Sequence, residues 1–521
     1  MHGRSPIRAS VPPLRMSAFG GMRSSRFVVG ALLLACTLGA RLPGAMHDPL
    51  WQDEIAAERV ITQPTPRKAV GQLVNADSTP PAFFLTAWAA YHTTHGLDSG
   101  VAPARSLRVI PLVFSLLTTA FTFLLACELL PLWAAALAGL IVSFASELVV
   151  HGAELRPYAM LALACVAFAF VLERAVARPD RLRFALLAGV VAAGSLTHYF
   201  FLLALAAGVL WLVTSGRERV LVRRVGVALA VGLVPLAVWS PYWLRQYHHA
   251  HYAWGPPFGW ARLASFLPTL VAPDLFVSDA GRAAQVAASL AVIGSALLLL
   301  RRREGRLYAL LVLVPFLVGA VVWAAGARVF NPRNLIGSVP FAAIALSWAC
   351  VSLPWRRVSQ AAAVLVGALV VGIFTVGQIR LDRTPYDRIA HELIAQGFDR
   401  HEPLVWFGNY GGAIPVAWYL TSNGPPDLWP RTFIANPTGS PCDAVDVVAH
   451  RGGLRWLYEH RTDVLSETTV PFYSDSPRGK RAKSDLTIAR LRWSSGILES
   501  AVAAHAFLLH RADTPSPCLS P

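Results

Sequence analysis

From Phe27 to residue 378 the chain is a succession of long apolar blocks separated by short polar breaks. A helix crosses the hydrocarbon core of a bilayer with about 20 mostly apolar residues, and there its backbone must satisfy itself. The blocks lack the polar stripe of helices that lie on a soluble core. They predict a polytopic α-helical membrane protein. Roughly eleven spans are expected, near 27–46, 107–127, 132–150, 157–174, 184–198, 199–214, 225–243, 284–300, 307–325, 335–353 and 359–378.

Composition agrees, with 55% of the 521 residues hydrophobic and 15% charged, against about 25% charged in soluble domains. A net charge of +16 would also fit a nucleic-acid binder. The arginines, however, gather in the breaks, as in Arg217, Arg219, Arg223 and Arg224, or Arg301, Arg302, Arg303 and Arg306. Cytoplasmic loops of membrane proteins collect basic residues in this way. With the N-terminus inside, segments 1–26, 128–131, 175–183, 215–224, 301–306 and 354–358 are cytoplasmic, and all but 128–131 contain Arg. The resulting organisation is a basic N-terminus over 1–26, a membrane domain over 27–378 with outer loops 47–106 and 244–283, and an extracytoplasmic domain over 379–521.

Local features refine this picture. The first apolar block could be a cleaved signal peptide; the preferred reading is an uncleaved helix to about Met46, with Arg41 snorkelling to the interface. Segment 80–95 is apolar but too short to span, so it is expected to lie along the membrane surface. Pro403–Phe407 reads as a strand and Ala413–Leu420 as a helix after a Gly-rich turn, which implies a small α/β unit. Cys36, Cys127, Cys165 and Cys350 lie in apolar blocks, whereas Cys442 and Cys518 could pair in an oxidising compartment or stay free.

Chemistry-bearing residues collect on the outer side. Asp53-Glu54 follows the first span closely and could supply a general base, or be two solvated acids. In His151-Gly-Ala-Glu154-Leu-Arg156-Pro157-Tyr158, Glu154 could neutralise Arg156, or assist the first carboxylate while Arg156 meets a phosphate. Asp77, ahead of Pro80-Pro81, could cap the following segment or sit near the site. Arg333-Asn334 opens the tenth span and could bind phosphate or anchor at the interface. His248, His249 and His251, with Asp77 or Asp53, could hold a divalent metal ion, or be exposed loop residues. No P-loop, G-x-G-x-x-G after a strand, H-E-x-x-H or G-x-S-x-G is present.

Taken in order, these marks resemble the membrane glycosyltransferases of the GT-C superfamily, in particular the bacterial branch similar to protein O-mannosyltransferases and the lipid A aminoarabinose transferase. The marks are Asp53-Glu54, Asp77-x-x-Pro80-Pro81, Arg105 and Arg108 before Pro111, Glu154-Leu-Arg156-Pro157-Tyr158, His198-Tyr199-Phe200 and Pro332-Arg333-Asn334-Leu335-Ile336, spread over residues 27–340. The resemblance implies a polyprenyl-phosphate sugar donor, an acceptor on the outer face of a bacterial inner membrane, and inversion at the anomeric carbon. It implies Asp53 as catalytic base with Glu54 supporting it, Glu154 as a second acid, and Arg156, Arg108 and Arg333 around the donor phosphate. Asp77, His198 and Tyr199 are then expected to contact substrate. Asp77 lacks the lysine that some relatives carry beside the prolines, and Asn334 stands where a tyrosine is common. A transporter or lipid flippase is the alternative, though it calls for polar residues lining the spans. A non-catalytic scaffold or sensor is a third reading.

Overall fold

The computed structural model of the chain describes residues 19–94, 103–249, 279–327 and 331–380, short stretches at 258–260, 263 and 386–396, and the strands and some helical turns between 404 and 511. Among the described residues, seven helices are long and apolar enough to cross a membrane. They lie within α1 (Phe19–His47), α6 (Val109–Leu129), α9 (Tyr158–Ala177), α12 (Arg219–His249) and three later segments, Arg303–Ala324, Pro332–Val351 and Arg356–Thr375. The protein is a multi-pass membrane protein. α7 (Leu132–Phe144) and α8 (Ser146–Gly152) make an eighth span if taken together, bent by 55°. The expected spans at 184–198, 199–214 and 284–300 correspond to α10 (Arg181–Thr197), α11 (Phe201–Thr214) and the apolar stretch Val286–Leu300 within the helix Asp279–Leu300.

Helix packing inside the bundle relies on small and hydroxylated residues, as expected where lipid offers no hydrophobic drive between helices. At Gly139 of α7 a side chain would come within 2.4 Å of Leu33, so α1 can approach closely only because no Cβ is there. One helical turn on, the Thr37 hydroxyl meets those of Thr119 at 3.0 Å and Ser143 at 2.9 Å, joining α1, α6 and α7. Apolar side chains such as Phe27, Val238 and Val364 stay exposed on the outside, where lipid would cover them.

Arg41 departs from expectation. It does not snorkel; it is 1% exposed. Its guanidinium donates to the carbonyls of Val142 (3.1 Å), Ser143 (2.7 Å), Leu148 (3.0 Å) and Thr37 (3.2 Å). The break at Ala145 between α7 and α8 leaves carbonyls without helical partners, and Arg41 supplies the donors. The bend and the buried cation explain each other.

Above the bundle, α2 (Gln52–Ile61), α3 (Pro66–Ala76) and α4 (Ala82–Thr93) form a small layer, and the short α5 (Pro103–Ser106) precedes α6. Pro66 follows the cap Thr65, whose hydroxyl accepts from Lys68 N, which fixes the start of α3. Their apolar faces, with Leu50, Ile55, Leu73, Phe83, Phe84 and Trp239, make a second core separate from that of the bundle. Segment 80–95 thus contributes a helix packed into this layer, with the Trp88 indole donating to Gln63 O at 2.7 Å.

Among the described residues of the C-terminal region, six strands form one mixed sheet of order β2-β6-β1-β3-β5-β4, with β1 (Leu404–Trp406) parallel to β3 (Ala444–Ala449) and the other pairings antiparallel. The remaining strands are β2 (Leu428–Arg431), β4 (Val464–Ser474), β5 (Ala482–Arg492) and β6 (Phe507–Arg511). Helix Tyr386–Ala395 packs Ile389, Ala390 and Leu393 against Leu404, Trp406, Val448 and Ile488. The strand expected at Pro403–Phe407 is β1, and helical residues lie within the stretch expected to be helical before Leu420. Cys442 and Cys518 lie outside the described residues.

Candidate active site

The loops that join the helices at one end of the bundle are tied to one another by side chains. α2 starts from Trp51, whose backbone is extended (φ −117°, ψ 170°), and carries Asp53 and Glu54 in its first turn. Acids are favoured there by the helix dipole and the free amides. The two neighbours then meet different fates.

Glu54 is fully buried. Both its oxygens accept from Arg108, from Nε at 2.8 Å and from Nη2 at 2.6 Å, and Oε1 also accepts from Leu155 N at 2.9 Å. Arg108 spends its remaining donors on the carbonyls of Gly44, Ala45, Asp48 and Pro49, at 2.8–3.3 Å. Every donor of this guanidinium is committed to the chain. Arg108 was expected at the donor phosphate and Glu54 beside the base; the geometry makes them instead a buried pair that fixes the turn from α1 into α2. Such bidentate pairing is the particular strength of arginine.

Asp53 stays accessible, with a side chain 23% exposed. Its Oδ2 lies 3.5 Å from Nη1 of Arg333, and its carbonyl accepts from Arg156 Nη1 at 3.3 Å. Burial pushes the Asp53 carboxyl above the usual carboxylate range, Arg156 and Arg333 pull it down, and Asp77 and Glu154 add to the rise. Arg333 is aimed by its own turn: Asn331 caps the 3-10 turn Pro332–Ser338 by accepting from Arg333 N at 3.2 Å. The guanidinium carbon then sits 5.5 Å from the centre of the Tyr158 ring.

Arg156 donates to Asp77 Oδ2 at 2.6 Å. Its Nε is buried with no hydrogen-bond partner among the described residues. Burial works against the charge of Arg156, but Asp77 and Asp53 hold its pKa above the ordinary value. Asp77 accepts at Oδ1 from Thr79 N (3.0 Å) and Thr79 Oγ1 (2.7 Å), a local turn rather than a cap of α4, whose first residues are preceded by Pro81. Burial raises the Asp77 carboxyl, yet Arg156 and Thr79 outweigh it and hold the pKa below its ordinary value.

Glu154 is buried and pairs with His151, Nδ1 to Oε2 2.8 Å; the other ring nitrogen lies 3.1 Å from Glu147 Oε2. His198, at the end of α10, is buried, its ring 5.5 Å from that of Tyr158 between centres and tilted by 42°. Tyr199, expected at substrate, is engaged in the scaffold. Its hydroxyl donates to Gln246 Oε1 at 2.7 Å and accepts from Trp239 Nε1 at 3.0 Å. Gln246 in turn donates to the carbonyls of Asp77 (3.0 Å) and Thr79 (2.9 Å). Sequence reasoning missed Gln246; it stands in the polar end of α12, between Arg245 and Tyr247-His248-His249, where one more polar residue gives no signal.

The structure thus brings Asp53, Asp77, Arg156 and Arg333 together, sets Glu154 beside them on His151, and turns Glu54, Arg108 and Tyr199 to support. Among the described residues no three His, Cys, Asp or Glu side chains are grouped to hold a metal ion. His248 is exposed, while His251 lies outside the described residues. What the cluster offers is a carboxylate able to accept a proton, with two cations beside it able to meet an anion.

Comparison with known proteins bears on this arrangement. Residues 79–244 match the model of the family described as dolichyl-phosphate-mannose-protein mannosyltransferase. No curated protein matches the chain by sequence. Among solved structures, the chain is similar to ArnT from Cupriavidus metallidurans in the apo state, with a TM-score of 0.52 and 14% identity over 91% of this chain and 98% of that one. The same protein bound to undecaprenyl phosphate gives a TM-score of 0.54, also at 14% identity, 91% of this chain and 98% of that chain. Residues 79–244 thus carry the pattern of that family, and the chain shares its fold with these structures.

Proposed function

We propose that the chain transfers a sugar from a polyprenyl-phosphate donor to a cell-envelope acceptor on the outer face of a bacterial inner membrane, with inversion. The observation that carries this reading is the part-open carboxylate of Asp53, with Arg333 3.5 Å from its Oδ2 and Arg156 on its backbone carbonyl. Support also comes from the similarity to a structure described as bound to undecaprenyl phosphate.

The chemistry requires both signs of charge. An acceptor hydroxyl attacks the anomeric carbon while Asp53 takes its proton, so the base must be ionised and within hydrogen-bond reach. The bond from the anomeric carbon to the phosphate oxygen breaks with its electrons going to the phosphate. Arg156 and Arg333 then face the charge that develops there. Arg156, with a buried Nε that lacks a partner among the described residues, has a donor to give. Asp77 holds that arginine in place, and Glu154 adds negative potential at Asp53. In this reading the N-terminus is cytoplasmic and the sheet region extracytoplasmic, as the arginine-rich breaks favour.

A transporter or flippase is disfavoured because the charged residues of the candidate site gather at one end of the bundle rather than along a path through it. The acceptor class is read from a deletion strain by mass spectrometry of envelope lipids, glycans and proteins. Loss of one sugar modification supports transfer; an unchanged envelope with altered lipid distribution across the membrane favours the flippase. Cysteine labelling at residue 48 tests the side, and labelling only from the cytoplasm overturns the assignment.

A further inference from the structure

The loop that carries Asp53 is held from a direction the sequence did not reveal. Leu50 N, three residues before Asp53, donates to the hydroxyl of Tyr419 at 2.8 Å. Tyr419 belongs to the C-terminal region, 369 residues away. Beside it Trp418 is 2% exposed, yet it is buried among Leu50, Ile55, Phe83 and Phe84 of the α2–α4 layer, not in the core of the sheet.

The helical residues over 415–420 therefore face two ways. Val416 and Leu420, four apart and so on one face, are buried against Leu404 and Trp406 of β1. Trp418 lies between them in sequence and points into the other core. Tyr419 packs against both cores. Val416, Trp418, Tyr419 and Leu420 thus join the sheet to the layer that displays the site carboxylate.

The target of the join is specific. Around Leu50, Arg108 holds the carbonyls of Asp48 (2.8 Å) and Pro49 (3.3 Å). Tyr419 holds the next amide. Leu50 is 1% exposed, so this N–H has little access to water if the hydroxyl is removed. An unmade buried hydrogen bond costs more than the bond itself contributes, and the turn would be expected to shift to recover a partner. A shift at residue 50 is carried directly into the first turn of α2.

We propose that Tyr419 is a positioning residue for Asp53, so that the sheet region sets the geometry of the base instead of merely sitting beside the bundle. This rests on the reading of Asp53 as the base. Misplacement of a reacting group by about 1 Å can cost on the order of a hundredfold in rate, so a lost tether at residue 50 reaches the chemistry without touching substrate.

The test uses the full-length chain in detergent or proteoliposomes with Tyr419→Phe, which keeps the ring in both cores and removes only the hydroxyl. The expected result is a kcat lowered at least fivefold with donor KM within twofold of the parent, and faster amide exchange in the peptide containing Leu50. A kcat within twofold of the parent overturns the proposal, as does a raised donor KM at unchanged kcat, which would place Tyr419 in donor binding. Amide exchange separates this proposal from the functional reading. If the parent transfers no lipid-linked sugar, that reading fails alone, and unchanged exchange at Leu50 in the variant still overturns the tether.

Discussion

Arg108 grips both oxygens of Glu54, at 2.8 and 2.6 Å, one residue away from the part-open carboxylate of Asp53. A closed ion pair thus stands next to an acid left open to solvent, and the first makes the second possible by fixing the turn that presents it. Arg108→Ala leaves Glu54 buried without its cation, a change that costs about 3–5 kcal/mol in comparable pairs. The expected outcome is a strong loss of folded protein on solubilisation, read by thermal unfolding in detergent. Arg108→Lys is expected to rescue little, because an ammonium cannot make the two-pronged contact. Near-parental stability in both variants would count against the clamp.

Arg333→Ala removes a cation that faces Asp53 without breaking a fully buried pair. Loss of one preorganised group facing developing charge typically costs about a hundredfold in turnover or more. The expected result is a large fall in kcat with normal abundance, partly restored in Arg333→Lys. Parental turnover in the alanine variant would remove Arg333 from the site.

The pH dependence has a definite sign. As the proposed base Asp53 acts only when ionised; burial raises its pKa while Arg156 and Arg333 lower it. Activity is therefore expected to fall on acidification at a pH above that of an ordinary carboxylate. Arg333→Gln deletes one lowering influence, so the acidic limb of the kcat profile should move to higher pH. A limb that stays put, or moves down, contradicts Asp53 as the titrating base.

Asp77 has the opposite sign. Its pKa is held below the ordinary 3.8, so its stabilising contribution is present above that value and is lost as pH falls through the lower folded-state value. Asp77→Asn is expected to be less stable at neutral pH and to lose less on acidification below about pH 4. Equal pH slopes for parent and variant, measured by unfolding in detergent, would mean that the contact with Arg156 contributes nothing.

Gln246→Leu strips the carbonyls of Asp77 and Thr79 and the Tyr199 hydroxyl of their shared amide. Each buried group left without a partner costs about 1–3 kcal/mol. The variant should unfold at lower temperature and lose activity with it. Unchanged stability and activity would show that α12 needs no such tie.

What the sequence made legible, and what it hid, follows from the range of the forces involved. Apolar blocks announce spans because the bilayer acts on every residue in a segment, so α1, α6, α9 and α12 were readable from composition alone. The pattern of acids and arginines also pointed to one end of the bundle, where Asp53, Asp77, Arg156 and Arg333 now meet. Pairwise commitments were not readable. Glu54 looks like Asp53 in the sequence, and only the approach of Arg108 separates them. Arg41 near the end of an apolar block looks like an interfacial anchor; its partners include the Val142 and Ser143 carbonyls, freed by a bend in another helix. Tyr419 and Gln246 act on backbone groups 369 and 169 residues away, and a backbone carbonyl or amide leaves no mark in a sequence.

The most direct measurement is sugar transfer by the purified chain and its Asp53→Asn variant, given polyprenyl-phosphate sugar donors and envelope acceptors. The change removes the proposed base while keeping size and polarity, so abundance and membrane insertion should match the parent while transfer is abolished. Transfer at the parental rate by Asp53→Asn would contradict the account at its centre.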